Sequence, residues 1–120
     1  MIFDHIGLIT EEKKENEDYV AATRVWVTDP SKHPFKVEWL RFDANSPVTG
    51  PVRTESHVSF RVKNLAEASK GLKVLIEPFD VGFAVVGFYQ ANDGAVIEFM
   101  EYKKGRVVHK LDSASFEGEN

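Results

Sequence analysis

The chain has 120 residues, a formal net charge of −4 at pH 7, 42% hydrophobic residues and no cysteine. That length suits one compact domain with a core and leaves little room for a second. The mild acidity argues against a nucleic-acid footprint, which needs clustered Lys and Arg, and the missing cysteines exclude disulfides and thiolate metal sites. The start, Met1-Ile2-Phe3-Asp4-His5, carries no basic leader or apolar signal core, and no apolar run approaches the length of a bilayer span. A cytoplasmic globular domain with no membrane contact is the expectation.

Ile2 to Thr10 reads as a strand of β-branched and apolar residues without proline. Strict alternation puts Phe3, His5, Gly7 and Ile9 on one face and Ile6 and Leu8 on the other. Thr10 is a fair N-cap, and Glu11 and Glu12 follow where a helix dipole favours acids, so a helix is expected to about Ala22. Its apolar residues are Tyr19, Val20 and Ala22. A second strand is expected over Arg24–Asp29, ended by Asp29-Pro30, and a third over Phe35–Asp43. On the third, Glu38, Leu40 and Phe42 share one face, and Val37, Trp39 and Arg41 the other. Residues 44–55 contain two Pro and one Gly in their first eight positions and read as a linker.

The second half opens on Ser56–Val62, a strand with His57, Ser59 and Arg61 on its polar face. Asn64 caps a helix over Leu65–Leu72, with Glu67 completing a capping-box-like start. Strands follow at about Lys73–Ile76, Ala84–Gln90 and Ala95–Tyr102, interrupted by Pro78 and by the Asn92-Asp93-Gly94 turn. The acidic stretch 111–120 is expected to be a flexible tail. The chain thus divides into module one at about 1–43, a linker at 44–55 and module two at about 56–103, within a single domain spanning 1–110.

Each half begins with a strand bearing a histidine and ends with a strand carrying an acid among apolar residues, a weak repeat of roughly fifty residues. The repeated residues are His5 and Glu38, then His57 and Glu98. A carboxylate set among Val96, Ile97, Phe99 and Met100 is costly to bury without a partner. Imidazole nitrogens and carboxylate oxygens on stiff strands suit Zn²⁺, Ni²⁺, Mn²⁺ or Fe²⁺. The residues alone leave a second reading open, in which the four are unconnected; a lone strand histidine is more often a hydrogen-bonded core or surface residue than a ligand. His33, in a loop, and His109 read as surface residues.

Asp4-His5-Ile6-Gly7-Leu8, the stretch from His57 to Ala68, and Asn92-Asp93-Gly94-Ala95-Val96-Ile97-Glu98-Phe99-Met100-Glu101 together resemble the vicinal oxygen chelate superfamily. That group contains glyoxalase I, methylmalonyl-CoA epimerase, extradiol dioxygenases and bleomycin-resistance proteins. The resemblance implies an α+β fold in which two βαβββ modules form one curled mixed sheet around a cavity. It implies a divalent metal held by His5, Glu38, His57 and Glu98, with Glu98 or Glu38 as general base. The first module reads as one strand short, and a one-residue slip would turn Glu38 out of the cavity. His5, His57 and Glu98 would then form the two-histidine, one-carboxylate set of non-haem Fe(II) oxygenases.

The leading expectation is a glyoxalase- or epimerase-like lyase or isomerase acting on a small oxygenated substrate through a metal-stabilised enolate. The alternatives are an extradiol-type dioxygenase and a non-catalytic binder of the drug-resistance kind. Arg61 is a candidate clamp for a substrate carboxylate or phosphate, and Tyr89 and Gln90 candidate residues at a cavity mouth, with core packing the competing role for Tyr89. The resemblance also implies a homodimer.

Overall fold

The computed structural model describes residues 1–104; His109 and the stretch 111–120 lie outside the described residues. The strands are β1 (Ile2–Ile9), β2 (Asp18–Val20), β3 (Val25–Val27), β4 (Val37–Phe42), β5 (His57–Arg61), β6 (Lys73–Asp80), β7 (Ala84–Gln90) and β8 (Val96–Tyr102). They form one curled sheet, a half-barrel, in the order β2-β3-β4-β1-β5-β8-β7-β6. Two short helices, α1 (Pro51–Thr54) and α2 (Leu65–Ala68), complete an α+β fold of the kind expected.

The two halves of the sheet repeat in register. β1 and β5 run antiparallel at the centre, with His5 opposite Ser59 and Gly7 opposite His57. A two-fold exchange of these strands therefore carries His5 onto His57 and Gly7 onto Ser59. The flanking ladders obey the same exchange. β4 lies parallel to β1 with Glu38 beside Gly7, and β8 lies parallel to β5 with Glu98 beside Ser59. Side chains alternate faces along a strand, so this registry sends both histidines and both acids to the concave face. Glu38 is not slipped out of the cavity.

Several expectations need correction. The first half is not short of a strand; it is short of a helix. Residues 11–17 form turns and loop, and β2 arises from residues read as the end of that helix. The Thr10 hydroxyl does accept from the Glu12 amide at 3.0 Å, but no helix follows this cap. Three apolar residues crowded at one end give no stripe to bury at helical spacing, and Asn16 turns the chain with φ of 58°. The loop still covers the convex face of its half. Lys14 Nζ stands 4.5 Å above the Trp39 ring, and Arg41 grips Glu17 through two bonds of 2.9 and 2.7 Å.

Phe3 does not share a face with His5. The β1–β5 register shifts between them, leaving Asp4 as the extra residue of a β-bulge. Phe3 therefore lies on the convex face, its ring edge-on to Phe60 at 6.3 Å. Pro78 does not end its strand either. β6 is an edge strand paired to β7, where a proline is tolerated, and a register shift between Ile76 and Phe79 accommodates it. α2 stops at Ala68, short of Leu72.

The core has two sides. On the convex side Val62, Leu65, Tyr89 and Phe99 pack beneath α2. On the concave side Val48 and Val52, from the segment read as a linker, pack on Phe88 and Val96. The linker is thus part of the cavity wall.

Candidate metal centre

The hollow of the half-barrel is a cavity of about 560 Å³ with His5, Glu38 and Glu98 at its base and walls that include Leu40, Phe42, Phe79, Val86, Phe88 and Met100. His57 stands beside the base, 1% exposed. One ligand atom each from His5, Glu38 and His57 lies within 4.8 Å of the others. Glu98 Oε1 is 3.4 Å from His5 Nε2 and 3.5 Å from His57 Nε2, and Glu38 Oε1 is 3.4 Å from His5 Nε2. The four residues singled out by the repeat therefore converge on one point, each from its own strand.

Three further residues shape that point. Gly7 lies opposite His57, and a Cβ there would overlap Cε1, Nε2 and Nδ1 of the imidazole. Glycine is what admits the ring. Ser59, fully buried, takes the equivalent place in the other half; its hydroxyl donates to Glu98 Oε1 and lies 3.0 Å from His5 Nε2. Asp4, turned inward by the bulge, accepts from His5 Nδ1 at 2.5 Å, from Arg61 Nε at 2.6 Å and from the Tyr102 hydroxyl at 3.1 Å. Alternation placed Ser59 on the face of His57, a usable signal. No glycine or proline marks the bulge, so the role of Asp4 had no signal in the sequence.

The electrostatics follow from these contacts. Burial opposes charge on His5, but hydrogen bonds with Asp4, Glu38 and Glu98 outweigh it and push the imidazole pKa up to about 12. Burial likewise raises the Glu98 pKa, and the imidazoles of His5 and His57 standing 3.4 and 3.5 Å away overcome this, holding the carboxyl below its usual range. Asp4 is held low in the same way, burial being outweighed by His5 and Arg61.

The residues fit a divalent cation. Both ring nitrogens of His57 are buried with no hydrogen-bond partner among the described residues, a costly arrangement for a polar group unless something else satisfies it. Two carboxylates and two imidazoles, the latter in the neutral form that ligates metals, would carry a charge of −2 around a bound cation and offer hard and borderline donors of the kind Zn²⁺, Ni²⁺, Mn²⁺ and Fe²⁺ accept. Asp4 is already paired with Arg61, so its charge is compensated apart from the centre.

Arg61 and Tyr89 are placed elsewhere. Arg61 packs over the Tyr102 ring at 4.6 Å and bonds Asp4. Tyr89, 2% exposed, lies on the convex face against Phe99, and its ring passes over Gly87, where a Cβ would strike it. Gln90 donates to Gly94 O within its own hairpin.

No family model matches the chain, and no curated protein matches it. Among solved structures it is similar to UcmS2 at 12% identity and a TM-score of 0.33, over 83% of this chain and 97% of that one. A likeness that slight carries no argument about function, which rests on the site itself.

Proposed function

We propose that this protein is a divalent-metal-dependent enzyme of the glyoxalase or epimerase type, from the vicinal oxygen chelate superfamily that its motifs resemble. The observation that carries the reading is the convergence of His5, Glu38, His57 and Glu98 at the base of an apolar cavity. The substrate class is a small molecule with two adjacent oxygens and an apolar body, the oxygens directed to the base and the body to Phe42, Phe79 and Phe88.

A bound cation supplies Lewis-acid stabilisation of the negative charge that develops on the substrate oxygens. The chain supplies the rest. His5, Glu38, His57 and Glu98 would hold the cation, with Glu98 further fixed by Ser59. Glu38 has no serine beside it, since Gly7 occupies that register position, and its side chain is 17% exposed against 9% for Glu98. Glu38 is the freer acid, and takes the proton α to the substrate carbonyl as general base. The apolar walls exclude water from the carbanion. A homodimer is part of the proposal, by resemblance, and sedimentation velocity tests it.

His57→Ala and Glu98→Gln each abolish cation binding, while Glu38→Gln, which keeps an amide oxygen as a weaker donor, lowers affinity without abolishing it and stops exchange of solvent deuterium into α-oxygenated carbonyl compounds. Full metal content and exchange in all three variants refute the proposal. A second reading uses the His5, His57 and one-carboxylate subset as the ligand set of an Fe(II) ring-cleaving oxygenase. Elemental analysis after anaerobic purification separates them: iron with catechol cleavage favours the oxygenase, zinc, nickel or manganese with proton exchange the isomerase. A metal-free protein that binds an aromatic ligand tightly identifies a sequestering protein.

A further inference from the structure

The strands bearing the two histidines are related by the register exchange described above, yet the rings are held differently. His57 makes no hydrogen bond through either nitrogen among the described residues. His5 is held through Nδ1 by Asp4, and Asp4 is itself held by Arg61 from β5 and Tyr102 from β8. Ser56 occupies the place before His57 that Asp4 occupies before His5. The bulge at Asp4 is what turns this carboxylate to the side of the ring.

Resting on the metal-centre reading, we propose that Asp4 is a positioning residue that fixes His5 as its Nδ1–H tautomer, presents the bare Nε2 to the cavity, and so sets the affinity of the centre for its cation. An imidazole that donates one N–H to a carboxylate is oriented and made a stronger donor at the other nitrogen. The geometry is a chain of three links. Arg61 and Tyr102 fix both position and charge of the Asp4 carboxylate; Asp4 fixes the ring; the ring aims Nε2 at the point shared with Glu38 and Glu98. Arg61 acts here as an anchor for Asp4, with Asp4 and His5 between it and the cation site, in place of the substrate contact that its strand face first implied. Its planar guanidinium suits this part, because it bonds the carboxylate while stacking on Tyr102.

The test is a competition titration of Zn²⁺ and Mn²⁺ against a chromophoric chelator, with wild type, Asp4→Asn, Asp4→Ala and Tyr102→Phe, alongside thermal unfolding of each metal-free protein. The expected result is a loss of roughly 10- to 100-fold in affinity for Asp4→Ala and a smaller loss for Asp4→Asn, which keeps an acceptor oxygen without its charge. Tyr102→Phe removes one anchor and leaves His5 untouched; a loss of a few-fold is expected. Long-range ¹⁵N–¹H spectra of the Zn²⁺-loaded protein report the ring directly: a protonated Nδ1 and a proton-free Nε2 on His5 in wild type, and a mixture of ring states in Asp4→Ala. Wild-type affinity in a folded Asp4→Asn and Asp4→Ala overturns the inference even where the melting temperature falls. Should Asp4→Ala not fold, Asp4→Asn and Tyr102→Phe decide. Failure of wild type itself to bind either ion refutes the metal centre, and with it this inference; binding by wild type and variants alike refutes the inference alone.

Discussion

Gly7→Ala tests the site without altering a single polar group. The added Cβ overlaps three atoms of the His57 imidazole. The ring cannot retreat far, because Phe88 stands edge-on to it at 5.1 Å and His5 at 6.0 Å. Forcing a methyl into a filled core costs about 1–3 kcal/mol. For a chain of this size that is a fall in Tm of roughly 4–12 °C. Displacing His57 also removes one of the four donors, so cation affinity falls by about 100-fold or more, at or beyond the upper end of what loss of an orienting partner costs. Gly87→Ala is the matched control. Its Cβ overlaps the Tyr89 ring on the convex face, so it lowers Tm by a similar amount and leaves affinity intact. Calorimetric unfolding and metal titration of both variants read the two effects separately. Unchanged affinity in Gly7→Ala, or an equal loss in Gly87→Ala, refutes the placement of His57 in the centre.

Ser59→Ala takes away the hydroxyl that donates to Glu98 and accepts from His5, leaving a buried acceptor and a buried donor without it. The metal-free variant is expected to lose about 1–3 kcal/mol in denaturant unfolding, and a wild-type midpoint counts against that network. The pH dependence has a definite sign. His5 has a pKa raised to about 12 in the folded metal-free protein, so its contribution to stability is complete below the unfolded value near 6.5 and declines as pH rises from there towards 12. Asp4 and Glu98 are depressed, so theirs is present above about pH 4–4.5 and is lost on further acidification. Unfolding of the metal-free protein should therefore be hardest near pH 5–6, and a curve flat from pH 6 to 9 contradicts the His5 assignment. Cation binding displaces the His5 proton, so affinity should tighten with pH by up to about tenfold per unit. Arg41→Ala breaks the pair with Glu17 that ties down the loop over Trp39; a small fall in Tm is expected, shrinking in high salt.

What the sequence revealed of the site came from strand alternation, a weak repeat and the resemblance of its motifs. Residues two apart on a strand share a face, and this alternation with the weak repeat singled out His5, Glu38, His57 and Glu98. The residues alone left open a reading in which the four were unconnected, and it was the resemblance that implied one shared ligand set. Alternation fails where a bulge intervenes, and the bulge at Asp4 both misassigned Phe3 and concealed the group that holds His5. The missing helix has a different cause. Thr10, Glu11 and Glu12 are good local start signals, but local signals stabilise a helix by fractions of a kcal/mol to about 1 kcal/mol each, and nothing apolar at the right spacing follows to anchor it. Lys14 and Glu17 instead tie a loop to Trp39 and Arg41. Pro78 misled because a proline breaks a central strand but not an edge, and which strand is the edge is a property of the whole sheet.

The central claim is that His5, Glu38, His57 and Glu98 hold one divalent cation. Anomalous diffraction from crystals grown with Zn²⁺ or Mn²⁺, collected at the absorption edge of the metal, tests it most directly. The account predicts one strong peak at the base of the cavity, about 2.0–2.2 Å from Nε2 of each histidine and from an oxygen of each acid. No peak there at saturating metal, or a peak bound by other residues, contradicts it.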